Sequence, residues 1–328
     1  MERRTFIKLA AGTVLATSTA SLGALSARAA GKTIVYLTPG LDLPFWRYLS
    51  KGVESAAKAG GFEFQALDSH NSPQTQLQNA QDSIAKGVAG IVISPTDSST
   101  APSVLELAKK AGIPVVIGDI GTNSGDYASF ISSNNYEGAK GVGLALAAAL
   151  KKKGWEKGSV GLITISQARK NGQARTKGFR DGLIEGGVNT KEAGLQQMQV
   201  YTTDETFKFT QDMLTANPDM RGLFIQTDQP ALGALRAIKA ARREGEILVA
   251  AFDGIPEFVD LLKSGELVAS GMQQPFLMGE RSGEALVNQL SGKAVEKEIQ
   301  IPILAITSEN IDKELPTVKK TVFANEVN

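Results

Sequence analysis

Asp42, Phe45 and Trp46 follow the run TIVYL, Ser94 lies in ISPTDSS and Asp119 in IGDIG. Tyr201 in VYTTD, Thr227 in IQTDQ and Asp253 in AFDGI likewise close short β-branched runs, and Arg175 opens the helical stretch GQARTKGF. Aromatic rings offer flat apolar faces, and carboxylates, hydroxyls and a guanidinium beside them make directional hydrogen bonds. A sugar or polyol needs that combination, because it shows C–H groups on one side and hydroxyls that donate and accept around its rim. Asp42, Asp119 and Asp253 would repel an anion, and a cation would gain nothing from Arg175. Adjacent helix positions point about 100° apart, so one of Phe45 and Trp46 is expected to stack squarely on a ligand. Trp46 is favoured, since its ring is larger and its N–H can donate; core packing under the helix start is the alternative for both. Singly, Ser94, Asp119 and Asp253 would serve as turn or capping residues. Their repetition at one edge points to a binding site.

Other chemistries lack their residues. The 328-residue chain has no cysteine, which removes disulfides, thiolate nucleophiles, cysteine-ligated metals and a lipid-modified N-terminal cysteine. Its one histidine, His70, sits in the turn-rich DSHNSPQT, leaving a Ser-His-Asp triad or a multi-histidine zinc site without parts. No metal and no cofactor is expected. GVGLAL supplies two of the glycines of a dinucleotide fingerprint, but it lacks the third and falls inside an Ala-rich helix rather than at a strand-to-helix turn. An NAD-dependent enzyme is thereby disfavoured. With 35 Lys and Arg against 34 Asp and Glu the formal charge is +1, and no basic stripe invites nucleic acid.

The elements that must carry these residues alternate. TIVYL, FEFQALD, GIVIS, PVVIGD, ASFIS, SVGLIT, QMQVYT, GLFIQT, ILVAAFD and LVASGM read as strands. Between them lie segments such as PQTQLQNAQDSIAKG, whose apolar spacing predicts a helix closing on glycine. LDLPFWRYLSKGVESAAKAGG predicts a Pro-started helix ending at a Gly pair, with both rings in its first turn. Strand, helix, strand in repetition predicts parallel sheets with helices on both faces, and the length suggests two domains. The pattern begins afresh near SSNNYEGAKG, where Asn134 or Asn135 can cap a long helix. Ligands collect at the carboxyl ends of strands in such sheets, which is where the residues above stand.

The N-terminus predicts export. Arg3 and Arg4 precede Thr5, Phe6, Ile7 and Lys8, a soft apolar run and then ARAAGK. These features resemble a twin-arginine signal spanning 1–29 and cleaved near Ala29, which would place the protein in the periplasm.

LPFWRYLSKGVESAAKAGGFEF, LDSHNSPQTQLQNAQDSIAKGVAGIVISPTDS, GIPVVIGD, ARTKGF, LTANPDMRGLFIQTDQPALGALRAI and VAAFDG, in this order and spacing, resemble the periplasmic substrate-binding proteins of carbohydrate importers, the ribose-binding type. The resemblance covers nearly the whole mature chain. It implies an α/β fold of two Rossmann-like lobes, each a parallel sheet flanked by helices, joined by a three-segment hinge. One lobe would comprise 31–133 and 274–304, the other 134–273 and 305–328. It puts pocket positions on Phe45, Trp46, Ser94, Asp119, Arg175, Tyr201, Thr227, Asp253 and Gln273; Gln273 comes from the resemblance alone. It also implies a monomer that captures a small neutral sugar or polyol and delivers it to an ABC permease with its ATPase, with a chemoreceptor as a second partner. Binding of a signal molecule is the alternative. A DNA-binding repressor on the same core would need a headpiece where this chain has its export signal. Ile120 stands where the ribose type has Arg, and Leu43, Ser94 and Thr227 where it has Asn. Those departures imply a smaller or less oxygenated ligand than ribose, such as a sugar alcohol or a deoxy sugar. SENIDKELPTVKKTVFANEVN extends past the resemblance, to pack across the hinge or to trail.

Overall fold

The computed structural model describes residues 31–188 and 191–326. The export signal expected at 1–29, with Arg3, Arg4 and the cleavage position, lies outside them. The chain first runs through β1 (Thr33–Thr38), α1 (Pro44–Ala59), β2 (Glu63–Asp68), α2 (Pro73–Lys86), β3 (Gly90–Ile93), α3 (Ala101–Lys110), β4 (Val115–Gly118) and β5 (Ser129–Ser133). It then builds α4 (Asn135–Lys152), β6 (Ser159–Thr164), α5 (Lys170–Glu185), β7 (Glu192–Gln197), α6 (Thr203–Ala216), β8 (Met220–Ile225), α7 (Ala231–Ala240), β9 (Leu248–Phe252), α8 (Glu257–Ser264) and β10 (Leu267–Met272). It returns for α9 (Pro275–Leu290) and β11 (Glu298–Ile301), and crosses again to β12 (Leu304–Thr307) and α10 (Ile311–Thr317).

These strands form two six-stranded sheets, ordered β11-β5-β4-β3-β1-β2 and β12-β10-β9-β8-β6-β7. All pairings are parallel except β10 with β12. The fold is thus α/β, two Rossmann-like lobes linked by three crossings: after β5, after β10 and between β11 and β12. The central strands β3, β4 and β6 are buried along their whole length, as expected where helices cover both faces of a parallel sheet.

Local signals set the helices that carry the site. Pro44 starts α1, where a missing N–H costs nothing. Asn134 caps α4 by accepting from the Glu137 N–H at 3.2 Å. The helix α1 lies so close to α9 that a Cβ on Gly279 would fall 2.0 Å from the Leu49 carbonyl oxygen. Gly182 meets the Lys140 carbonyl of α4 in the same way, at 2.2 Å, and so seats α5. Substitution at either glycine would push apart the helix that bears the rings or the helix that bears Arg175.

Two expectations need correction. The strand predicted at QMQVYT is β7, five residues earlier in EAGLQQ. It is an edge strand with a mostly half-buried sequence, so it shows no β-branched run, and Val200 within the predicted run stands 65% exposed. Arg175 does not open its helix: α5 starts at Lys170, which puts Arg175 in the second turn, and Arg169 takes the cap position. The C-terminal stretch packs across the lobes. Val318, Val322 and Phe323 are fully buried in one apolar cluster with Tyr48 of α1 and with Ile311 and Met272 from the second sheet's side. Lys51 of α1 pairs with Glu326, and burial together with Glu326 raises the Tyr48 hydroxyl well above its ordinary value. No described helix is long and apolar enough to cross a membrane.

Candidate functional site

The carboxyl ends of both parallel sheets face one cleft, and the loops beyond them close it down to a cavity of about 30 Å³. That is room for little more than a water or two, so the lobes lie closed on one another here. Phe45 and Trp46 form one wall as an edge-to-face pair, with centroids 4.8 Å apart and planes at 85°. Each ring both lines the cavity and packs in the first lobe's core.

Arg175, 2% exposed, is the hub of the second lobe. Its Nε donates to Asn135 Oδ1 at 2.7 Å, and its Nη1 donates to the Gln226 carbonyl at 2.7 Å and to Asp253 Oδ2 at 3.1 Å. The guanidinium lies 4.1 Å from the Phe252 ring centre. Asp253 also accepts from Gln273 Nε2 on Oδ1 at 2.8 Å. Burial raises the Asp253 carboxyl, and Arg175 opposes that rise. From the first lobe, Asp119 accepts on Oδ2 from Asn171 Nδ2 at 3.1 Å. Burial pushes its carboxyl up to about 6.

Backbone strain marks the same cleft. Of the eight described non-glycine residues with positive φ, Asp119, Tyr201 and Asp253 line the cavity, and His70 and Asn71 line the recess beside it. Such conformations persist where the surroundings over-determine them. For Tyr201 the device is visible. The Glu205 carboxylate accepts from the main-chain N–H groups of Gln199, Val200 and Tyr201 at 2.7, 3.1 and 2.9 Å, and the Tyr201 hydroxyl accepts from Ser166 N at 3.1 Å.

Eight of the ten residues read from the sequence line the cavity: Phe45, Trp46, Asp119, Arg175, Tyr201, Thr227, Asp253 and Gln273. Ser94 does not. It is buried beneath the strand ends, where its Oγ shares a 3.0 Å hydrogen bond with the Tyr36 hydroxyl. Asp42 lies in an outer recess between the Trp46 side of the cleft and His70, and its carbonyl accepts from Arg47 at 2.8 Å. His70 is a loop residue with its side chain 80% exposed. GVGLAL runs within α4, away from any strand-to-helix turn. Among the described residues no group of three or more His, Cys, Asp or Glu is placed to hold a metal.

The cavity also contains Leu43, read from the sequence as standing where the ribose type has Asn, and Ile165, Arg169, Asn171 and Asp228, which the sequence reading missed. Asp228 adjoins Thr227 past the same strand end, so the rule that found one applied equally to the other. Arg169 and Asn171 had no such signal, since their partners lie across the cleft. Arg169 Nε donates to the Thr96 carbonyl at 2.8 Å, Nη2 donates to Asn71 Oδ1 at 2.8 Å, and the guanidinium lies over Tyr201. Lys170 Nζ reaches the Thr122 carbonyl at 2.9 Å. Three consecutive residues of the second lobe thus bond to three loops of the first.

A charged donor's hydrogen bond contributes about 1.5–3 kcal/mol, and about 1.4 kcal/mol is tenfold in an equilibrium. Arg169→Ala is therefore expected to part the lobes and to speed ligand release by about tenfold or more. Small-angle scattering and stopped-flow release report the two effects, and a variant as compact and as slow as the wild type would show that Arg169 does not hold the lobes together.

Comparison with known proteins agrees with this architecture. A profile of the periplasmic binding protein domain matches residues 34–294. The chain belongs to the periplasmic binding protein family. It is 31% identical over 300 residues to the ribose import binding protein RbsB of Salmonella typhimurium, covering 90% of this chain and 97% of that one. To RbsB of Bacillus subtilis it is 32% identical over 265 residues, covering 80% and 83%. Among solved structures, the Caulobacter myo-inositol binding protein superposes with a TM-score of 0.78 at 27% identity, covering 88% of this chain and 97% of that one. A carbohydrate transporter solute binding protein of Agrobacterium radiobacter, in complex with D-arabinose, shares the fold with a TM-score of 0.82 at 24% identity, covering 90% and 99%.

Proposed function

We propose that this protein is the solute-binding component of an ABC importer, capturing a small neutral sugar or polyol between its lobes and delivering it to a membrane permease. One observation carries the ligand class. Six buried side-chain polar atoms among the described residues lack a partner, and three of them, Asp119 Oδ1, Asp228 Oδ2 and Gln273 Oε1, belong to residues lining the cavity. All three are acceptors. A buried acceptor without a donor costs about 1–3 kcal/mol, so the site is matched to a ligand that donates, and hydroxyls set beside the Phe45 and Trp46 faces meet that need. Relatives named for ribose, apiose and allose support the same class. Leu43 against the cavity and Ile120 in the core give fewer polar contacts than a fully hydroxylated pentose would use, which favours a sugar alcohol or deoxy sugar.

In this reading the moving units are 31–133 with 274–304 and 134–273 with 305–328, closing like a hinged clamp. Export by the twin-arginine route to the periplasm and action as a monomer are parts of the same proposal.

A thermal-shift screen of residues 30–328 tests it, against D-ribose, D-arabinose, D-allose, 2-deoxy-D-ribose, erythritol, xylitol and myo-inositol. A ligand at a hundred times its Kd adds about 2.7 kcal/mol to the native state, enough to raise Tm by several degrees. Trp46→Ala should weaken the responding compound by about ten- to a hundredfold, matching the roughly 1.5–3 kcal/mol of a lost large apolar contact, as read by titration calorimetry. Silence across the panel would end the carbohydrate reading.

A further inference from the structure

We propose that Asp228 is a specificity-determining ligand contact of this cleft, accepting a hydroxyl from the second lobe opposite Asp119, while Asp253 serves as the fixed partner of Arg175. The inference rests on the polyhydroxyl reading above and deepens it. The three carboxylates in the cavity are differently employed. Both Asp253 oxygens are engaged, Oδ2 by Arg175 and Oδ1 by Gln273. Asp228 is 1% exposed; its Oδ1 accepts from the Gln229 N–H at 2.7 Å and from Thr227 Oγ1 at 3.3 Å, and its Oδ2 has no partner. Nor does a protein cation bond to it, since the Arg175 donors go to Asn135, Gln226 and Asp253 and those of Arg169 go to Thr96 and Asn71.

Leaving a buried carboxylate oxygen unpaired is costly, and burial with the neighbouring Asp253 pushes this carboxyl up to about 7. The free Asp119 Oδ1 comes from the first lobe, and Gln273 Oε1 stands at the crossing after β10. One ligand donating to all three would tie together both lobes and a connection between them. Capture is thereby coupled to closure.

Asp228→Asn separates this role from a structural one. An asparagine keeps an oxygen for the Gln229 N–H but turns an NH₂ donor toward the cavity, where a ligand hydroxyl must itself donate. The expected result is at least a tenfold loss of affinity for the panel member that the wild type binds, with the ligand-free Tm equal to or above that of the wild type. Affinity within twofold of the wild type would overturn the assignment. So would a ligand-free Tm that falls along with binding, which marks a structural support of the loop before α7. A wild type that ignores the whole panel would instead defeat the polyhydroxyl reading and remove the hydroxyl donor this inference needs. Asp228→Ala serves as a second variant, expected to lose affinity without introducing the opposing donor.

Discussion

Arg175→Ala is expected to abolish ligand binding and to destabilise the free protein by about 3–5 kcal/mol, the cost of leaving one partner of a buried ion pair alone. The guanidinium is committed in every direction: Asn135 at the start of α4, the Gln226 carbonyl after β8, Asp253 after β9 and the Phe252 face. Its removal leaves the Asp253 carboxylate, already raised by burial, without the charge that opposes the rise. Urea unfolding measures the stability change and calorimetry the binding. Arg175→Lys should fail almost as badly, since an ammonium cannot span the fork of acceptors. Adding Asp253→Asn to Arg175→Ala should return part of the stability, because the unpaired charge goes, while binding stays lost. A single variant as stable as the wild type would show that the pair does not anchor the cleft.

The elements that position Arg175 were largely legible from local chemistry. Buried parallel strands leave short β-branched runs, and β1, β3, β4, β6 and β8 stand where those runs do. Asn134 before an Ala-rich stretch announced α4, whose cap it makes. The reading failed where burial is partial: β7, at a sheet edge, carries EAGLQQ, and the apolar Val200 that drew the assignment further along is exposed. Within the site, strand ends identified most of the lining because topology puts those ends in one place. Ser94 shows the limit of that rule. Standing past a strand end does not fix which way a side chain turns, and Ser94 turns down to Tyr36. Arg169 and Asn171 show the opposite limit, since they matter through Asn71, Thr96 and Asp119, about 50 to 100 positions earlier in the chain, and no local pattern encodes that distance.

The C-terminal stretch is a similar long-range feature, and it carries the other large expected effect. Phe323→Ala should cost about 3–5 kcal/mol, the usual range for emptying a fully buried aromatic site. Phe323, Val318 and Val322 fill a cluster that includes Tyr48 on α1, two residues beyond Trp46, together with Ile311 and Met272. The segment therefore ties the helix that carries the aromatic wall to the second sheet's side of the molecule, and the Lys51–Glu326 pair adds a contact at the exposed edge. That pair alone is worth little, as surface ion pairs usually contribute below about 1 kcal/mol. Lys51→Ala should thus leave stability almost unchanged where Phe323→Ala does not, and the contrast assigns the tether to apolar burial. Because Phe323 belongs to the same buried cluster as Tyr48, the Phe323→Ala cleft should also hold its ligand less tightly, by a loosened α1 rather than by a lost contact. Urea unfolding with calorimetry on the two variants decides it. A stable Phe323→Ala protein with wild-type affinity would show that the stretch merely covers the surface it lies on.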